Sequence, residues 1–129
     1  MDWFPKNLRM LLVLVVLNIL ASVIHYGDNI CFFSEYPEPS WLNPHLVDAF
    51  WFVMTPFAVL GYWYGVQGWR GWSKIALNVY AIMSLLVLGH YLITPPWHVS
   101  LKINAFIFLE TIAAIFLIYY VNIRRMDKT

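Results

Sequence analysis

The chain has 129 residues, enough for one domain, of which 61% are hydrophobic, 19% aromatic and only 12% charged. Because soluble domains carry roughly 25% charged residues, this composition excludes an ordinary water-soluble fold and points to a lipid bilayer as the solvent. The formal net charge of +1 is not gathered into a basic stripe outside the membrane flanks, so nucleic acid is excluded as a partner.

Four apolar segments are long enough to form spanning helices, which need roughly 20 residues each. They cover residues 8–26, 46–66, 74–93 and 103–123. The connectors after the second and third segments are short, so neighbouring helices are expected to pack antiparallel. The sequence therefore predicts an all-α membrane protein, a single domain over residues 1–129 built as an up-and-down bundle of four transmembrane helices.

The basic residues predict the orientation of this bundle. Seven of the eight lie on the side that holds the two termini and the 67–73 connector: Lys6, Arg9, Arg70, Lys74, Arg124, Arg125 and Lys128. Only Lys102 lies on the other side, so the positive-inside rule places both termini in the cytoplasm. The first segment lacks a convincing cleavage site and is expected to remain as an uncleaved helix. Brevity and the lack of retention signals favour a bacterial inner membrane, with an organelle membrane as the alternative.

Polar side chains recur at helical spacing on the first two helices. On the first they are Asn18, Ser22, His25 and Asn29, and on the second Asp48, Thr55 and Tyr62. Because polar groups that face lipid lack partners, both stripes are expected to point into the bundle. They serve either a site or only the hydrogen bonds between helices. Pro56 is expected to kink the second helix and to open a cavity.

The outer connector between the first two helices, residues 27–45, is longer than a simple turn requires. It is proline-rich, because Pro37, Pro39 and Pro44 stiffen it, and its aromatic residues predict that it folds back over the bundle mouth as a lid. It also holds the only cysteine, Cys31. A single cysteine excludes an intrachain disulfide, and we expect this thiol to pack among its apolar neighbours.

Glu110 lies about seven residues into the fourth helix, roughly 10 Å below the outer boundary at 1.5 Å per residue. Ionisable groups at such depth are rare, costly and usually functional. All four histidines lie at or near the same outer half of the bundle, so His25 or His90 is expected to pair with Glu110. Such a pair fits a proton relay, a ligand-binding ion pair or part of a metal site. A neutral Glu110 bonded to Asn18 is the structural alternative.

Several of these residues follow the pattern of a known membrane-protein family. The shared elements are Asp28, the pair Tyr36-Pro37, Asp48, Pro56, Trp72 and Lys74. With them the chain resembles the EXPERA superfamily, four- and five-helix membrane proteins that include the sigma-2 receptor and the emopamil-binding sterol isomerases. The resemblance implies a lipophilic pocket in which Asp28 and Asp48 meet a cationic ligand or a sterol-like intermediate. Glu110 has no counterpart in that pattern.

The main functional hypothesis is a protein that binds a lipophilic ligand, such as a sterol, an isoprenoid or another lipid, between its helices. Candidate catalytic residues for an acid–base isomerisation are His25, His90 and Glu110. Candidate ligand-binding residues are Asn18, Asp28, Asp48, Thr55, Trp51 and Tyr91. Binding without catalysis fits the same residues, so whether the protein is an enzyme stays open.

Two alternatives remain at this stage. The first is a haem or transition-metal site, because His25 and His90 come from parallel helices at similar depth and Asp28 and Asp48 could complete a metal centre. The second is an accessory subunit without a site of its own, assembled as a homodimer or within a larger membrane complex.

Overall fold

The computed structural model describes the backbone of residues 3–124 and the side chains of residues 8–123. Within this part of the chain the regular structure is helical throughout. The α-helices, numbered in chain order, are α1 Trp3–Cys31, α2 Pro44–Val66, α3 Arg70–Leu85, α4 His90–Ile93 and α5 Leu101–Tyr119.

Local capping explains where two of these helices begin. The Asn43 side chain accepts a hydrogen bond from the backbone N–H of Leu46 (3.0 Å) at the start of α2. Ser100 caps α5 in the same way, through the N–H of Ile103 (3.3 Å). The chain turns between α2 and α3 at Gly68, whose φ of +79° is readily adopted only by glycine. Short polar caps and one glycine therefore set these helix ends.

The third predicted helix is not uniform. α3 tightens into a 3₁₀ turn over Leu86–Gly89 and resumes as α4, so that one apolar rod runs from Arg70 to Ile93. A 3₁₀ stretch inside a helix has poorer hydrogen-bond geometry and often marks a functional position. Here the stretch borders the cavity described below.

The four rods are long and apolar enough to cross a membrane: Leu8–Cys31, Pro44–Val66, Arg70–Ile93 and Leu101–Ile123. α1 packs against α2 and α5, and α3 packs against the same two helices, which closes the four into a ring. The predicted bundle of four apolar helices is thus confirmed, and the protein is a small four-helix integral membrane protein. Its orientation in the membrane stays a prediction.

Polar contacts between α1 and α5 show that these helices run antiparallel. Asn18 donates to the backbone carbonyl of Ala113, whereas His25, farther along α1, contacts Glu110, which lies earlier on α5. One end of the bundle carries the connectors 32–43 and 94–100 and is called the loop end below. The opposite end carries the turn 67–69.

The interior is polar from mid-bundle to the loop end and apolar beyond. The buried polar residues are Asn18, Ser22, His25, Asn29, Ser73, Ser84 and Glu110, and only Ser73 belongs to the opposite end. Toward that end the core is closed by apolar side chains such as Leu11, Ala58, Leu77, Leu117 and Val121. Among the described residues the buried polar side chains thus concentrate toward the loop end, while a half-buried pair, Asn78 and Asn122, bonds to each other in the opposite half.

The two predicted polar stripes have different outcomes. All four residues of the α1 stripe are buried, which confirms that this face points into the bundle. The prediction for α2 is wrong at Asp48, which is exposed. The buried positions of α2 are instead Val47, Met54, Ala58, Gly61 and Gly65. This apolar, small-residue face packs against the neighbouring helices and turns Asp48 outward.

Candidate functional site

Glu110 is fully buried and both of its carboxylate oxygens have partners. His25 Nδ1 lies 2.5 Å from Oε2, and the Ser84 hydroxyl donates to Oε1 over 3.1 Å. These partners come from α1 and α3, so Glu110 on α5 joins three helices. Of the partners expected for this carboxyl from the sequence, the structure selects His25 rather than His90 or Asn18.

His25 connects this buried pair to the loop end. Its ring contacts the rings of Tyr36 and His90, with centroids 5.7 Å and 5.6 Å away. Its second nitrogen, Nε2, is buried and has no hydrogen-bond partner among the described residues. One nitrogen of the His25 ring therefore contacts the Glu110 carboxyl, and the other has no hydrogen-bond partner among the described residues.

A second carboxyl, Glu38, lies next to this ring. Its Oε1 accepts a hydrogen bond from the Asn29 amide (2.7 Å) and lies 3.1 Å from His90 Nδ1. Burial raises the pKa of the Glu38 carboxyl above its usual range, and the Asn29 amide and His25 act in the opposite direction. Glu38 and Asn29 were not predicted as site residues, although Asn29 belongs to the α1 stripe. The sequence feature that could have pointed to Glu38 is its position between Pro37 and Pro39, which stiffen the connector.

The outer connector, which in the structure is residues 32–43, contacts the bundle through Tyr36, whereas Phe32 and Trp41, two of the aromatic residues on which the lid prediction rested, are exposed. Tyr36 is buried and donates a hydrogen bond to Asp28 Oδ2 (2.6 Å). Its burial, and to a smaller extent this hydrogen bond, raises the pKa of the Tyr36 hydroxyl. Lys102 Nζ lies 3.1 Å from Asp28 and 3.5 Å from Glu35, which ties α5 to the same segment. Cys31, by contrast, is exposed, so the expectation that its thiol packs among apolar neighbours is wrong.

A cavity of about 650 Å³ lies between α1, α2, the 86–93 segment and the connector. His25, Asn29, Glu38 and His90 line it and contact one another, and they are called the polar patch below. The remaining wall is mainly apolar: Tyr26, Pro39, Trp41, Leu42, Leu46, Val47, Ala49, Phe50, Val53, Leu86, Val87, Gly89, Leu92 and Ile93. The cavity thus combines an apolar wall with one small group of convergent polar side chains.

All six residues predicted to bind a ligand lie outside this wall. Three of them hold the bundle together instead. Asn18 bonds to the α5 carbonyl of Ala113 (2.9 Å), and the Trp51 indole donates to Ser22 (3.0 Å). Tyr91 donates to Asn104 over 2.7 Å.

The other three predicted ligand-binding residues have separate environments. Asp28 is engaged by Tyr36 and Lys102, and Asp48 is exposed. Thr55 is half-buried, and its hydroxyl has no hydrogen-bond partner among the described residues. By contrast, the three predicted catalytic residues do come together, because His25 contacts both Glu110 and His90.

The metal alternative named His25, His90, Asp28 and Asp48. The structure does not gather these four, and over residues 8–123 it holds no group of three or more His, Cys, Asp or Glu side chains placed to bind a metal ion. The rings of His25 and His90 meet edge to face, with an interplanar angle of 83°.

Comparison with family models, with curated proteins and with solved structures found no match to this chain. The resemblance to the EXPERA superfamily therefore stays a prediction that rests on the residues given above.

Proposed function

We propose that this protein binds a lipophilic ligand inside the bundle, with the apolar body of the ligand in the cavity and its head at the polar patch. The single observation that carries this proposal is the cavity of about 650 Å³ with its apolar wall and four convergent polar side chains. Small-molecule sites have volumes of roughly 300–1,000 Å³ and the same composition, namely apolar walls with a few placed polar groups.

The cavity wall also favours entry from the lipid. Val53 and Leu92 belong to that wall and are 58% and 91% exposed, on the surface that an integral membrane protein presents to acyl chains. A lipophilic molecule that is already dissolved in the bilayer can reach such a wall without crossing water. Sterols, isoprenoids and other lipids belong to this class, and the resemblance to the EXPERA superfamily supports it.

The polar patch contains the groups that an acid–base step would use. A carboxylate behind a histidine fixes the ring and stabilises its protonated form, which is the arrangement of Glu110 and His25. His90 is the neighbouring acid or base. Isomerisation of a double bond in the ligand would need these groups, whereas binding alone would not.

We further propose that the loop end faces away from the cytoplasm. Seven of the eight basic residues belong to the opposite side, and the positive-inside rule assigns that side to the cytoplasm. In a bacterial inner membrane the polar patch would then lie in the outer half of the bilayer.

The test uses palmityl probes that carry a photoreactive diazirine in the chain and differ only in the head group. Each is added to the purified protein in lipid nanodiscs, and crosslinks are mapped by mass spectrometry. We expect crosslinks to concentrate in residues 38–53 and 86–93. Gly89→Leu should reduce them, because Gly89 lines the cavity and a Cβ there meets nothing within 4 Å.

Gly27→Leu is the matched control, since Gly27 is equally open but lies outside the cavity wall. It should leave the crosslinks unchanged. Crosslinks spread evenly over all lipid-facing helices, with no response to Gly89→Leu for any head group, would refute the binding proposal.

A further inference from the structure

Two atoms of the polar patch lack hydrogen-bond partners among the described residues: His25 Nε2 and Asn29 Oδ1. Both side chains are only 3% exposed, and both line the cavity. A buried polar group without a partner is costly, so such groups are normally satisfied by protein, water or a ligand. Two of them on one cavity wall therefore indicate where the head of a ligand binds.

The carboxylates beside these atoms already have partners. Glu110 is contacted by His25 and Ser84, and Glu38 Oε1 is contacted by Asn29 and His90. The contact with Glu38 also fixes the amide of Asn29, because the NH₂ group must face the acceptor and Oδ1 must face away. The buried atoms of the polar patch that lack a partner among the described residues are thus a neutral amide oxygen and a ring nitrogen.

The ring nitrogen can act in two ways. When Nε2 carries a proton, it donates a hydrogen bond. If Nε2 loses its proton it accepts instead. Asn29 Oδ1 accepts in either case, so the head group must donate to it.

We propose that the ligand carries a single neutral hydroxyl as its head, so that the protein binds long-chain alcohols; this inference rests on the proposed function. The hydroxyl donates to Asn29 Oδ1 and accepts from His25 Nε2. The two residues are four apart on α1, with Cβ atoms about 5–6 Å apart.

Other head groups satisfy these atoms less well. A carboxylate has no proton for Asn29 Oδ1 and would also meet the neighbouring Glu38 and Glu110. An ammonium donates to Oδ1 but offers no lone pair to Nε2–H. A methyl ether can accept from Nε2 but cannot donate. Among the carboxylate, the ammonium, the methyl ether and the hydroxyl, only the hydroxyl both donates and accepts without adding charge.

The experiment compares four palmityl diazirine probes whose heads are an alcohol, its methyl ether, an amine and a carboxylic acid. For each, the concentration that gives half-maximal crosslinking to residues 38–53 and 86–93 is measured. We expect the alcohol to crosslink at a concentration about tenfold lower than the methyl ether, the gain expected from the one additional buried hydrogen bond to Asn29 Oδ1. Asn29→Leu should abolish this difference. Asn122→Leu, the same change at the opposite end, should keep it.

The outcomes distinguish the binding proposal from the hydroxyl assignment. If Asn29→Leu does not fold, the comparison of the four probes on the wild-type protein still tests the hydroxyl assignment. Equal crosslinking by alcohol and ether, or tighter binding of the amine or the acid, would overturn the hydroxyl assignment and leave the lipophilic cavity standing. If no probe crosslinks preferentially to residues 38–53 and 86–93, the binding proposal fails and the hydroxyl assignment fails with it.

Discussion

At the residue scale, one buried pair dominates this molecule. Glu110 and His25 lie inside an apolar bundle, and their contact of 2.5 Å is supported by a hydrogen bond from Ser84. Replacing one member of a buried pair leaves the other buried without a partner, which destabilises the protein, whereas replacing both members leaves no unpaired polar group. The pair therefore has a consequence for stability that is independent of any ligand.

We expect Glu110→Leu or His25→Leu alone to lower the free energy of unfolding by about 3–5 kcal/mol. The double variant should lose clearly less than the sum of the two, because neither polar group is then stranded. Unfolding by denaturant in detergent micelles measures all three variants. Asp48→Asn, at an exposed carboxylate, is the control and should stay within about 0.5 kcal/mol of the parent. Strictly additive losses would show that the pair is not coupled.

At the scale of elements, α2 and α3 approach closely at a glycine. The Ser73 hydroxyl donates to the backbone carbonyl of Gly61 over 2.7 Å. A Cβ at Gly61 would lie 2.5 Å from two atoms of the fully buried Leu77 side chain. Small residues allow helices in membranes to pack this tightly, because no hydrophobic effect drives them together there. This contact holds the end of the bundle that lies away from the cavity.

Gly61→Ala should destabilise the protein by about 1–3 kcal/mol through overpacking. Gly71→Ala is the matched control on α3, because a Cβ there meets nothing within 4 Å and alanine is the better helix former. It should be neutral or slightly stabilising. Thermal unfolding in nanodiscs compares the two. Gly61→Ala should cost less in a Leu77→Ala background than in the parent, and an equal loss in both backgrounds would argue against a steric cause.

At the scale of the whole molecule, the two ends of the bundle differ in chemistry. The loop end holds the polar patch, the cavity and the connector packed over them, and the opposite half is closed by an apolar core. A cavity closed at one end suits binding from the lipid or from the loop side and does not suit passage of a solute across the membrane. If the proposed function is correct, the orientation of the molecule decides which leaflet supplies the ligand.

The single cysteine offers a direct test of that orientation. Cys31 is exposed at the loop end of α1, so a membrane-impermeant maleimide should label it in intact spheroplasts if the loop end faces outward. In the Cys31→Ser background, a cysteine introduced by Gly71→Cys at the opposite end should react only after permeabilisation. The reverse pattern would show that the termini lie outside.

The sequence by itself determined the number of membrane-length helices, because each of its four apolar runs is long enough to span a bilayer. Helical spacing predicted the buried face of α1, and depth along the fourth helix singled out Glu110. The sequence could not show which of His25, His90 and Asn18 contacts Glu110. All three lie at similar depth, and only the rotation of each helix about its axis determines which of them faces Glu110.

The tertiary structure decided the rest of the candidate site. The helical spacing of Asp48 suggested an inward position, but the small-residue face of α2 packs inside and turns it outward. Glu38 reaches the cavity because Tyr36 and Lys102 fasten the connector to Asp28, and such contacts between distant segments leave no periodic trace in the chain. Spacing along one helix reports which residues share a face. Only the packing of the helices determines which of those faces meet.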